Sequence, residues 1–186
     1  MICLTASRCI QWLGLAWAFG AALSVDAGRL GGFVILALAF VLSWFTLVIH
    51  ELGHLIMGLV VGIKVLRFHV GPLAFLTAPR RIKFFQPAYR PDVGGAVHFR
   101  NSKTTSRLGW ALVGIAGPAL DLLVAIVLGF CAETIATGMA IKPLLIFAAV
   151  WSASHALANL MPFDGSDGSL VLFGPNRLLE PPPCLL

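Results

Sequence analysis

Four long apolar runs constrain this chain more than any other feature of its sequence. Each approaches or exceeds the roughly 18 to 20 residues that an α-helix needs to cross the hydrocarbon core of a bilayer. Hydrophobic residues make up 59% of the 186 residues and charged residues only 11%, which excludes an ordinary soluble domain. We therefore predict an all-α polytopic membrane protein with about four transmembrane helices, in residues 10–25, 31–61, 108–132 and 141–160.

The first run, residues 10–25, has two interpretations. It follows Arg8 and ends in the stretch SVDAG, which fits a signal peptide cleaved after Ala27. Its two tryptophans, Trp12 and Trp17, favour a retained anchor at the membrane interface. We therefore expect residues 1–27 to act as a signal anchor of a single membrane-embedded domain, residues 1–186, whose tail is residues 170–186.

Positive charge is concentrated between the second and third apolar runs. Residues 64–107 contain nine of the thirteen lysines and arginines but one acidic residue, Asp92. The positive-inside rule places such a loop in the cytoplasm, so the second and fourth spans run from outside to inside. We expect a multi-pass protein of the cell membrane, specifically a prokaryotic inner (cytoplasmic) membrane.

Parts of this basic loop alternate between apolar and polar residues. The stretches VLRFHVG (65–71) and GAVHFR (95–100) read as short strands, and several prolines break up the rest. We expect a small β-hairpin or sheet in the cytoplasmic loop, at the membrane surface, with its basic side chains near anionic lipid head groups.

The second apolar run contains the sequence HELGH. His50 and His54 are four residues apart, so on a helix they share a face and can bind one metal ion. Glu51 is then placed to take a proton from a water molecule at that ion. This His-Glu-x-x-His pattern is typical of zinc peptidases.

The position of HELGH inside a predicted membrane span supports metal binding more strongly than the residue pattern does alone. Each ionisable group in the bilayer core costs about 2.5 to 3.5 kcal/mol on insertion scales, and this run holds three within five residues. A bound metal ion compensates for that cost directly. The alternative is that His50 and His54 only form hydrogen bonds to other helices.

A catalytic zinc ion usually has three protein ligands, so one ligand must come from elsewhere in the chain. Because the fourth span ends on the cytoplasmic side, residues just after it reach a depth similar to that of the histidines. This topology favours Asp164 and Asp167, which follow the fourth span. The other candidates are His69, Asp92 and His98 in the loop and Asp121 and His155 in spans.

Three stretches together resemble the site-2 protease family of intramembrane zinc metalloproteases: HELGH in a span, AGPALD (116–121) in a later span, and NLMPFDGSDG (159–168). The resemblance covers most of residues 33–169. In that family an Asn-x-x-Pro segment precedes an Asp-Gly pair whose aspartate completes the zinc site. That spacing implies Asp167 as the third ligand, and Asp164, which also precedes a glycine, is the alternative.

The resemblance also implies that Asn159 binds the unwound substrate backbone or the developing oxyanion. Alternatively, Asn159 satisfies backbone groups where Pro162 ends the helix. The chain departs from the family at Asp121, where asparagine is usual. We interpret Asp121 as a neutral carboxyl group hydrogen-bonded between helices, and His155 as a supporting or structural residue.

The function implied by the resemblance is hydrolysis of peptide bonds in or near the transmembrane segments of other proteins, with Zn²⁺ as cofactor. The expected partners are a transmembrane protein substrate and the lipid bilayer. Nucleic acid is not expected, and the oligomeric state is left open. The alternative is a catalytically inactive metal-binding membrane protein, a transporter or a scaffold. Glu51 argues against that alternative, because zinc binding requires the histidines but not this acid.

Overall fold

The computed structural model describes residues 29–77, 80–84, 94–100, 105–135, 141–163 and 165–174. This part of the chain is mostly helical, with helices α1 (Arg29–Val60), α2 (Arg107–Thr134), α3 (Ile141–Leu160) and α4 (Asp167–Phe173). Within it, three helical segments are long and apolar enough to cross a membrane: Phe40–Val60 of α1, all of α2 and all of α3. They confirm the second, third and fourth predicted spans, whereas the first, residues 10–25, lies outside the described residues.

A small antiparallel sheet lies between α1 and α2 in the sequence, as predicted. Its strands are β1 (Val65–Val70), β2 (Leu73–Thr77), β3 (Arg80–Phe84) and β4 (Gly95–Phe99), in the spatial order β3-β2-β1-β4. The two predicted strands are β1 and β4. We did not predict β2 and β3 because prolines border them. Pro72 lies in the β1–β2 turn, where Gly71 adopts a positive φ of 54°.

The sheet lies alongside the second half of α1. A Cβ added at Gly71 would come within 3.0 Å of Trp44 Nε1, and one added at Gly95 within 2.8 Å of Glu51 Oε1. The sheet therefore extends back along the candidate span Phe40–Val60. Phe68, Phe75 and Ile82 form one apolar row across three of its strands, and the expected position at the membrane surface stays a prediction.

The helices pack closely where α1 meets α2. A Cβ at Gly53 would lie 2.5 Å from the Ala116 carbonyl oxygen, so this contact requires glycine. Buried Ile63, Trp110, Val113 and Leu170 form a core that joins the end of α1 to α2 and α4. By contrast, α1 and α2 also bear many large exposed apolar side chains, as expected for helices that face lipid, including Phe40, Phe45, Val60, Leu108, Ile126 and Phe130.

Candidate metal centre

Two histidines of α1 and one aspartate of α4 bring their ligand atoms together. The Nε2 atoms of His50 and His54 lie 3.1 Å apart. The Asp167 carboxylate faces both: Oδ2 is 3.1 Å from His50 Nε2, and Oδ1 is 3.1 Å from His54 Nε2. Both histidines are buried. The two imidazoles meet because residues four apart on a helix lie on the same face.

The other nitrogen of each imidazole is held by α2. His50 Nδ1 is 2.7 Å from Asp121 Oδ2, and His54 Nδ1 is 2.7 Å from the Val113 carbonyl oxygen. A carbonyl only accepts, so His54 Nδ1 must donate, and an ionised Asp121 likewise requires His50 Nδ1 to donate. In the neutral imidazoles both Nε2 atoms then present lone pairs toward each other. This is the tautomer that metal-binding histidines adopt.

These residues fit a zinc ion on physical grounds. Two lone pairs 3.1 Å apart repel each other unless a cation or a proton lies between them, and the Nδ1 protons already face other acceptors. Nitrogens at zinc-ligand distance in a tetrahedral site are separated by about 3.3 Å, close to the value here. Gly117 leaves room at this point, because a Cβ there would overlap His54 Nε2 and lie 2.9 Å from His50 Nε2.

Asp167 is positioned by the start of α4. Ser166 caps this helix by accepting a bond from the Ser169 amide at 3.1 Å, and its hydroxyl donates to the Met161 carbonyl at 2.6 Å. Gly168 packs directly on the Leu160 carbonyl, where a Cβ would overlap the backbone.

Asp121 joins all three long helices and is fully buried. The same oxygen, Oδ2, that faces His50 of α1 is also 2.7 Å from His155 Nδ1 of α3. His155 Nε2 lies 3.2 Å from the Asn159 amide nitrogen, which donates to it. These bonds agree with the predicted interhelical position of Asp121 and with the supporting role of His155. One oxygen therefore faces imidazoles from two other helices, and the neutral carboxyl that we expected for Asp121 stays a prediction.

Glu51 is buried beside a cavity of about 250 Å³. The cavity lies between β4 and α4 and gives the candidate centre the space that a catalytic site requires. Its lining consists of Glu51 and His54 of α1, residues 95–99 of β4, Trp110 and Val113 of α2, and residues 165–167 and Leu170 around α4.

Four other candidate ligands remain to be placed. His69 and His98 lie on the sheet, and Asp92 and Asp164 are outside the described residues. Asn159 is not among the described residues that line the cavity. Sequence reasoning did not identify the Val113 carbonyl. No signal in the sequence pointed to it, because Pro118, which lacks an N–H, frees the carbonyl of Gly114 rather than that of Val113.

Comparison with models of known protein families matches residues 35–138, more than half of the chain, to the family described as Peptidase family M50. The match includes the HELGH and AGPALD stretches. No curated protein and no solved structure matches the chain.

Proposed function

This chain belongs to peptidase family M50, the site-2 protease family of metalloproteases, and from that premise we propose that it is an intramembrane zinc metalloprotease. Its substrates would be membrane proteins, cleaved at peptide bonds in or near their transmembrane segments. We propose Zn²⁺ as the cofactor, held by His50, His54 and Asp167, and Glu51 as the catalytic acid and base.

One observation carries the proposal: the Nε2 atoms of two histidines in a candidate span lie 3.1 Å from each other, and each lies 3.1 Å from one oxygen of the Asp167 carboxylate. Ionisable groups in a span require compensation for their burial. The nearby cavity and the buried Glu51 add what hydrolysis requires beyond metal binding.

When bound, zinc would polarise the scissile carbonyl and lower the pKa of a water molecule to about 7. The Glu51 carboxylate would accept the proton of the attacking water and return it to the leaving amine. Asp121 and the Val113 carbonyl would keep both Nε2 lone pairs directed at the centre.

Asn159 has two roles to weigh. Its amide donates to His155 Nε2, which makes it part of the support for Asp121. The role implied by the family resemblance, a hydrogen bond to the substrate backbone or to the oxyanion, would use the second hydrogen of the same amide. That substrate-binding role stays a prediction.

The terminal strand β4 suggests how an unwound substrate would be held. It is at one end of the strand order and lines the cavity beside Glu51. A transmembrane helix must unwind before cleavage, and its freed backbone groups need partners inside the membrane. Pairing with β4 would provide them by strand addition.

We further propose that the basic loop, residues 64–107, faces the cytoplasm of a prokaryotic cell and that the chain is multi-pass in the inner membrane. The clustering of lysine and arginine there supports this orientation. A further transmembrane helix at residues 10–25, the first apolar run of the sequence, is part of the same proposal.

The decisive experiment compares wild-type protein with Glu51→Gln, purified in lipid nanodiscs and supplied with a transmembrane model peptide. We expect one zinc per chain in both, and cleavage reduced about 10²- to 10⁴-fold in the variant, because only the proton transfer is removed. Zinc is measured by elemental analysis and cleavage by mass spectrometry. Glu133→Gln, an exposed acid on α2, is the matched control and should cleave normally.

The same experiment tests the alternative of an inactive metal-binding membrane protein. Equal slow cleavage by wild type and Glu51→Gln, with zinc retained in both, would support that alternative and contradict the protease. His54→Ala should lose both zinc and cleavage.

A further inference from the structure

A second cluster of polar side chains lies on the sheet, away from the candidate metal centre. Arg67 and His69 are two residues apart on β1, so they point from the same face of the sheet. His98 of β4 is the direct cross-strand partner of Arg67 and shares that face. The three residues form what we call the sheet cluster.

The sheet cluster contains buried polar side-chain atoms that are unsatisfied. Among the residues that the structure describes, Arg67 Nε, Arg67 Nη2 and His69 Nε2 are buried without a hydrogen-bond partner. His69 is only 3% exposed. Buried polar groups almost always have a partner, and an unpaired guanidinium is especially costly. These atoms therefore indicate a ligand.

The geometry of the unsatisfied atoms identifies the chemistry of that ligand. The Nε and Nη2 atoms of an arginine are on the same edge of the guanidinium and present two parallel N–H donors. This arrangement matches the two oxygens of a carboxylate or phosphate. Burial and the charge of Arg67 lower the pKa of His69, and burial, Arg67 and His69 lower the pKa of His98. Both imidazoles are therefore held toward the neutral form, and the positive charge of the cluster resides on Arg67.

The position of the cluster favours a peptide as the source of the anion. His98 lines the same cavity as Glu51, and Gly95 of the same strand packs against Glu51. A substrate strand paired with β4 would advance about 3.3 Å per residue, so a residue beside His98 would stand about three residues from one beside Gly95. A lipid phosphate would remain at the membrane surface, whereas the Arg67 donors are buried on the strand next to β4, whose His98 lines the cavity.

We propose that the sheet cluster is a specificity site that binds the carboxylate of a substrate Asp or Glu about three residues from the cleaved bond. This inference rests on the proposed function. Arg67 would supply the bidentate donors, with His69 and His98 beside it. The preferred substrates would then be transmembrane segments carrying one acidic residue, whose otherwise unfavourable burial the cluster would compensate.

The test uses apolar transmembrane peptides that are identical except for one Asp or Asn, moved stepwise along the sequence. With the zinc-loaded enzyme in nanodiscs of neutral phosphatidylcholine, we expect kcat/KM to be about tenfold higher for Asp than for Asn when that residue is about three positions from the cut. A charge-assisted bond is worth about this factor. Arg67→Gln should abolish the preference, and Arg67→Lys should retain only part of it.

Two further variants address folding and charge. Arg80→Gln, which removes an exposed charge from the opposite face of the sheet, should keep the preference. Arg67→Glu should reverse it, so that a peptide with Lys at the same position is favoured. This gain does not arise from misfolding. No preference in the wild type, or an unchanged preference in Arg67→Gln, would overturn the proposal.

Binding separates this inference from the proposed function. Fluorescence anisotropy of labelled peptides with the Glu51→Gln protein needs no cleavage, and an acid preference that disappears when Arg67→Gln is added supports the sheet cluster even if no peptide is cut. Nanodiscs with added phosphatidylglycerol test the lipid source. An effect of Arg67→Gln that depends on this lipid and not on the peptide acid would overturn the proposal.

Discussion

The Nδ1 atoms of His50 and His54 determine what their Nε2 atoms can do. Each Nδ1 faces an acceptor on α2, and that contact fixes both the tautomer and the ring orientation. The two acceptors differ, because Val113 offers a backbone carbonyl and Asp121 a side-chain carboxyl group. Substitutions at Asp121 can therefore test how far the acceptor behind His50 matters, without changing a proposed ligand.

We predict that Asp121→Asn lowers zinc affinity about 10- to 100-fold, the usual effect of losing such a partner. Asp121→Ala should lower it further, because His50 and His155 then lose their shared acceptor. Affinity is measured by competition with a chromophoric chelator. Glu133→Gln removes an exposed charge from the same helix and should bind zinc normally. Unchanged affinity in Asp121→Asn would show that the carboxylate does not contribute.

The residues of the site differ in how far the sequence predicts them. The four-residue spacing of His50 and His54 predicts a shared helix face, since local geometry depends on neighbours in the chain. The approach of Asp167 followed only from topology and the family resemblance, because it is more than a hundred residues away. The sharing of Asp121 by two histidines was not predictable, since helix rotation is set by packing rather than by hydrophobic pattern.

Among the elements, the short helix α4 contributes a proposed metal ligand despite its small length. It contains seven residues and presents Asp167 in its first turn. Arg107 at the start of α2 donates to the Leu172 carbonyl at 2.7 Å, so α4 is fixed at both ends. The sequence did not predict α4, because seven residues after a proline give too short a pattern to distinguish helix from loop.

Gly168→Ala tests this placement while leaving every proposed ligand intact. The new Cβ would overlap the Leu160 carbonyl and lie 2.9 Å from the Met161 carbonyl carbon, so α4 must move away from α3. We expect zinc affinity to fall at least about tenfold, with cleavage reduced accordingly. Gly129→Ala, on α2 with open space around it, is the matched control. Equal zinc binding in both variants would mean that α4 tolerates displacement.

At the scale of the whole molecule, a metal ion at the candidate centre would link segments of the chain that are distant in sequence. His50 and His54 belong to α1 and Asp167 to α4, and these helices are separated by the sheet and two candidate spans. A ligand that binds only the folded state stabilises it by mass action. The bound ion should therefore contribute to the stability of the whole chain as well as to its chemistry.

We predict that adding zinc to the metal-free protein raises its free energy of unfolding by about 2.7 kcal/mol when free zinc is 100 times the Kd. The thermal midpoint in nanodiscs, followed by tryptophan fluorescence, should rise with zinc concentration. Glu51→Gln should show the same rise because Glu51 is not a proposed ligand, whereas His54→Ala should show almost none. A zinc-independent midpoint in the wild type would contradict the proposed centre.

One oxygen of Asp121 faces both His50 and His155. This arrangement also affects the route by which a transmembrane substrate would enter the candidate site. Parting α1 from α3 would break at least one of these buried bonds, and parting α1 from α2 would disrupt the glycine contact at Gly53. Among the described residues, β4 ends the strand order and has no strand paired along its outer edge. Of the boundaries that these residues form, we therefore expect this flank to obstruct lateral access from the lipid least.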